Sequence, residues 1–78
     1  MLDDDLTLVG IKYAFKAEKT PYVISCFKQD LNKVLLEYKN KKEISNYKVE
    51  WDERKQVMNC HYQPIKAVEK ISINLQII

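Results

Sequence analysis

Glycine, proline and cysteine are all scarce: Gly10 stands alone, with two prolines and two cysteines in 78 residues. So few chain-breakers exclude a low-complexity, linker-like or repeat-built chain. The cysteines, Cys26 and Cys60, are too sparse for a disulfide scaffold and lack the CxxC spacing of a zinc site. They are expected to be free, partly or wholly buried thiols in a reducing, cytoplasmic setting. Charge of one sign is missing too. Thirteen basic and eleven acidic side chains leave +2, with Arg54 the single arginine. Weak basicity made almost wholly of lysine lacks the forked donors that read phosphate and guanine edges. No apolar run is long enough to span a bilayer, and Met1-Leu2-Asp3-Asp4-Asp5 is acidic where a secretory signal would be positive.

Strand formers and one amphipathic helix fill what remains. Between Asp30 and Lys42, the residues Leu31, Val34, Leu35 and Tyr38 recur at the spacing of one helical face. Asp30 is expected to cap the start, and Lys39, Lys41 and Lys42 suit the negative end of the dipole. Upstream, Leu6 to Lys16 alternates. Val9, Ile11, Tyr13 and Phe15 oppose Leu8, Gly10, Lys12, Ala14 and Lys16, which predicts a strand after a frayed acidic lead-in at residues 1–5. Gly10 there would mark a bulge or a close backbone approach. Ala17 to Pro21 is a connection. Tyr22 to Phe27 carries two readings. Its composition favours a second strand. Alternatively, Thr20 caps and Pro21 starts a longer helix, with Ile24, Phe27, Leu31, Leu35 and Tyr38 as one stripe.

Beyond the helix, Glu43 to Asn46 turns the chain. Tyr47, Val49 and Trp51 alternate with Lys48, Glu50 and Asp52, and Asp52 to Lys55 forms a polar hairpin loop. Gln56 to Gln63 returns with Met58, Cys60 and Tyr62 on one face, and Pro64 ends that strand. Val68 to Ile78 alternates most cleanly, with Ile71, Ile73, Leu75 and Ile77 on one side. The fold class expected is a single α+β domain with one helix on a mainly antiparallel sheet of four or five strands. Its order is β-β-α-β-β-β, or β-α-β-β-β under the longer-helix reading.

Catalytic patterns are thin. His61 is the only histidine, and neighbours in a strand point to opposite faces, so Cys60 and His61 should diverge. Glu50, Asp52 and Glu53 have Lys48, Arg54 and Lys55 beside them and read as a self-paired, solvated surface. No phosphate loop, nucleophile elbow or zinc-protease helix is present. The expectation is a protein that is not an enzyme and needs no cofactor or metal. Lys28, Lys33, Lys39, Lys41 and Lys42 form the alternative, a nucleic-acid surface, though Glu37 before Lys41 and Glu43 after Lys39 would partly neutralise it. The leading expectation is a protein-binding module acting through a sheet edge or self-association, its residues Ile73, Leu75, Ile77 and Ile78. Another protein, a second copy, or both would be the partner. The Lys-, Ile-, Asn- and Tyr-rich composition suits an AT-rich bacterial or phage genome. Compact regulators and inhibitors carried by phages and mobile elements share this size, by analogy only.

Overall fold

The computed structural model describes residues 1–15 and 20–76. Its order is α1 (Leu2–Ala14), α2 (Pro21–Asn40), β1 (Ile44–Asp52), β2 (Val57–Pro64) and β3 (Ile71–Gln76). The three strands form an antiparallel sheet in the order β1-β2-β3. Both helices lie on one face of it, giving a two-layer α+β domain of 38 × 21 × 17 Å.

The strand expected from Leu6 to Lys16 is instead α1. Two periodicities coexist there, and the helical one wins because it buries better. Leu6 and Tyr13 are buried, with Leu2 and Val9 packed against the same core. Three aspartates in the first turn suit the positive end of the helix dipole. Residues 1–5 are therefore no frayed lead-in. The Tyr62 hydroxyl donates to Asp3 and the Tyr38 hydroxyl donates to Asp5, so this turn is bonded to β2 and to α2. Residues 16–19 lie outside the described residues.

The longer-helix reading also prevails over the strand at Tyr22 to Phe27. Thr20 caps α2, its hydroxyl accepting from the Val23 N–H at 3.2 Å, and Pro21 opens the helix where its missing N–H costs nothing. Phe27, Leu31 and Leu35 are completely buried, with Ile24 and Tyr38 beside them. Asp30 consequently sits mid-helix, not at a cap. Its carboxylate accepts from the Tyr13 hydroxyl at 2.6 Å and from Lys12 Nζ at 3.2 Å, tying α2 to α1. Above that junction the Tyr13 and Phe27 rings stack at 4.9 Å.

The far end of α2 closes as a Schellman motif. The Glu43 N–H returns to the Tyr38 carbonyl and the Lys42 N–H to that of Lys39. Lys42 adopts φ 62°, a left-handed position that glycine fills without strain from a Cβ. Lys42→Gly is expected to raise stability by about 0.5–1 kcal/mol, seen as a higher urea midpoint. A lower midpoint would contradict this account of the helix end.

The hairpin follows expectation closely. Val49 pairs with Cys60 and Trp51 with Met58 across β1 and β2. The turn is held by the Asp52 carboxylate, which accepts from the Arg54 and Lys55 N–H groups at 3.0 and 3.1 Å. Val49, Met58, Cys60 and Tyr62 enter the core beneath the helices. The final strand is shorter than expected. It begins at Ile71, leaving Val68 almost fully exposed. Among the described residues the five-strand order loses its first two strands, and the four-strand alternative its first, because those residues went into helices.

Candidate functional site

With β2 central, β1 and β3 are the edges of the described sheet. The two are built differently. β1 carries a register shift between Ile44 and Asn46, and its outer face bears Lys48 and Glu50 paired at 2.6 Å. A bulge and charges are the usual devices against unwanted strand pairing. β3, Ile71-Ser72-Ile73-Asn74-Leu75-Gln76, has no charge, no proline and no irregularity in its pairing with β2. Its backbone edge is open to any strand that approaches.

α1 runs alongside β3 in the same direction. Leu2 and Ile71 share one cleft, and Gly10 faces Leu75 further along. A Cβ at position 10 would meet Leu75 Cδ2 at 3.4 Å, an ordinary van der Waals contact, so helix and strand pack against each other here without requiring glycine. A shallow cleft beside that contact is lined by Thr7, Gly10, Ile11, Ala14, Asn74 and Leu75. It lies in the corner between helix and strand edge. α1 and its C-cap residue also carry Leu8, Ile11 and Phe15, 63%, 50% and 85% exposed, at i, i+3 and i+7. This apolar stripe was missed because the strand reading placed Ile11 and Phe15 in the core. The helical spacing of those three residues was its one legible signal.

Of the edge residues expected from sequence, Ile73 and Leu75 are half-buried under α1. Ile71, the first residue of β3, is 38% exposed. Ile77 and Ile78 lie outside the described residues. Lys28 and Lys33 are five residues apart, about 140° around a helix of 3.6 residues per turn. Lys33 acts on Asp30, on the α1 side, whereas Lys28 acts on Glu50 of β1. Lys39 and Lys41 lie over the Tyr47 and Tyr38 rings at 5.9 and 5.1 Å. Neither the Glu37–Lys41 nor the Lys39–Glu43 ion pair forms among the described residues. Lys28 and Lys39 thus lie on the β1 side of α2, and Lys33 on the α1 side.

The reactive side chains are likewise separated. Cys60 is fully buried, and burial pushes its thiol up to about 11, away from thiolate chemistry. His61 points to the opposite sheet face, its Nδ1 2.7 Å from Ser72 Oγ on the neighbouring strand. Cys26 sits half-buried on α2 as a free thiol. Lys48 draws the Glu50 carboxyl below its usual range, and Asp52 is occupied with the turn. Among the described residues no group of three His, Cys, Asp or Glu is placed to hold a metal ion. A cleft between the start of α1 and the Tyr62 end of the sheet measures about 280 Å³, and one lined by Lys42, Glu43, Pro64, Ile65 and Lys66 about 350 Å³. Both lie at the lower end of the roughly 300–1,000 Å³ of small-molecule pockets. No described helix is long and apolar enough to cross a membrane. Compared with protein-family models, with curated proteins and with solved structures, the chain matches none.

Proposed function

We propose that this chain is a non-catalytic protein-binding module whose working surface is the outer edge of β3. The observation that carries the reading is the contrast between the two edges. β1 is bulged and charged, and β3 is straight and neutral. In so small a protein an undefended strand is an aggregation hazard, and it is tolerable where a partner covers it. Main-chain hydrogen bonds would give affinity there, while alternate side chains would contact α1. The buried Cys60 and the paired Glu50 support a role in recognition over one in catalysis.

The test is site-specific photocrosslinking in cells of the native host. A benzophenone amino acid at Asn74, beside the open edge, is expected to yield a discrete protein adduct. The same probe at Lys48 on β1 is expected to yield none. Equal labelling from both positions, or none from Asn74, would overturn the proposal.

A further inference from the structure

We infer that the occupant of the β3 edge is a single extended strand from a different protein, apolar and uncharged at alternate positions, and not a second copy of this chain. The inference rests on the proposed function and names its partner. A strand takes up ~4.8 Å of sheet width and a packed helix ~10 Å. Two helices therefore match about four strands, and the described sheet has three. α2 sits against β1 and α1 against β3, so the shortfall lies on the β3 side, where Thr7, Ile11 and Ala14 of α1 line a cleft with Asn74 and Leu75. A fourth strand hydrogen-bonded to β3 would run along it, its inward side chains meeting Ile11 and Leu75.

Charge complementarity sets the chemistry of that strand. Among the described residues, no ionisable side chain lines the cleft, and none occurs from Ile71 to Gln76. An incoming charge at an inward position would lose water and find no partner. A neutral β-branched or aliphatic side chain would bury apolar area against a matching surface. The same widths exclude self-pairing. A second copy joined through β3 would bring its own α1, setting ~20 Å of helix over ~10 Å of adjacent strands. A lone strand brings no such cover.

The experiment pans a phage-displayed library of random linear octapeptides against the full chain. Selected peptides are then titrated by fluorescence anisotropy, with sedimentation velocity run on the chain alone. The expected result is enrichment of peptides with neutral apolar residues at every second position, 1:1 binding, and a monomeric chain. Ile11→Asp should weaken binding at least about tenfold, while Leu8→Asp, one charge on the same helix outside the cleft, should not. Equal circular dichroism for the two variants guards against misfolding. Failure to enrich such peptides, charged residues at the alternate positions, equal effects of the two variants, or a dimer abolished by Asn74→Pro would each overturn this inference. Adducts at Asn74 despite any of those results would leave the edge itself as the binding surface. Loss of those adducts would remove the edge reading as well.

Discussion

Phe27→Ala is expected to destabilise the protein by about 3–5 kcal/mol, enough to unfold much of it at room temperature. Phe27 is fully buried at the point where α2 meets α1, stacked on Tyr13. Truncation removes the apolar burial, leaves a cavity between two helices, and forfeits a ring pair contributing about 0.5–1.5 kcal/mol. A 78-residue chain buries only roughly 60% of its unfolded surface and has little stability to spare. Phe27→Leu, closer in volume, should lose much less. Urea titration followed by circular dichroism measures both. If Phe27→Ala unfolds within about 1 kcal/mol of the parent, the α1–α2 junction is not a core.

Alkaline pH should weaken the fold from about pH 10 upward. The buried hydroxyls of Tyr13 and Tyr62 donate to Asp30 and Asp3, and burial, reinforced by the aspartate beside each, raises both far above the usual tyrosine value. Tyr38, bonded to Asp5, is pushed up to about 12. The unfolded chain would ionise all three near 10. Between those values the native state binds more protons than the unfolded state, so stability falls as pH rises. Their contribution is complete below pH 10 and is lost upward through the raised native values. Each of the two buried tyrosines steepens the decline by up to about 1.4 kcal/mol per pH unit. Asp30 acts at the other end. Its lowered native value, caused first by the Tyr13 hydrogen bond, adds stability above the usual carboxyl range and loses it as pH falls. Urea midpoints from pH 3 to 12, with tyrosine ionisation followed by ultraviolet absorbance, check both limbs. Tyr62→Phe should flatten the alkaline limb. Five tyrosines titrating together near pH 10 in a chain that stays folded would refute the account.

The second half of the fold was legible in the sequence because period two and turn chemistry agreed there. Tyr47, Val49 and Trp51 set against Lys48, Glu50 and Asp52 left one reading, and Asp52 supplied the turn. The first half was ambiguous because Leu6 to Phe15 satisfies both periods. Val9, Ile11, Tyr13 and Phe15 alternate, yet Leu6, Val9 and Tyr13 also share a helical face. Only tertiary contacts decide between them, above all the bonds from Asp3 and Asp5 to tyrosines far along the chain. Glycine misled as well. The one glycine lies inside α1, while the left-handed positions are filled by Lys42 and Gln56. The candidate edge was half visible. Ile73 and Leu75 read correctly as an alternating strand, but the helix packed above them could not be inferred while that helix read as a strand.

Synthesis runs in an awkward direction for this architecture. α1 is made first, yet Asp3 must wait for Tyr62, 59 residues later, before its bond can form. At roughly 5–20 residues per second that delay is about 3–12 s. During it a 13-residue helix, marginal by itself, presents apolar side chains on both flanks to solvent or to a chaperone. Slower translation between residues 15 and 62 would lengthen that exposure, so synonymous codon choice in that interval should alter the yield of folded protein.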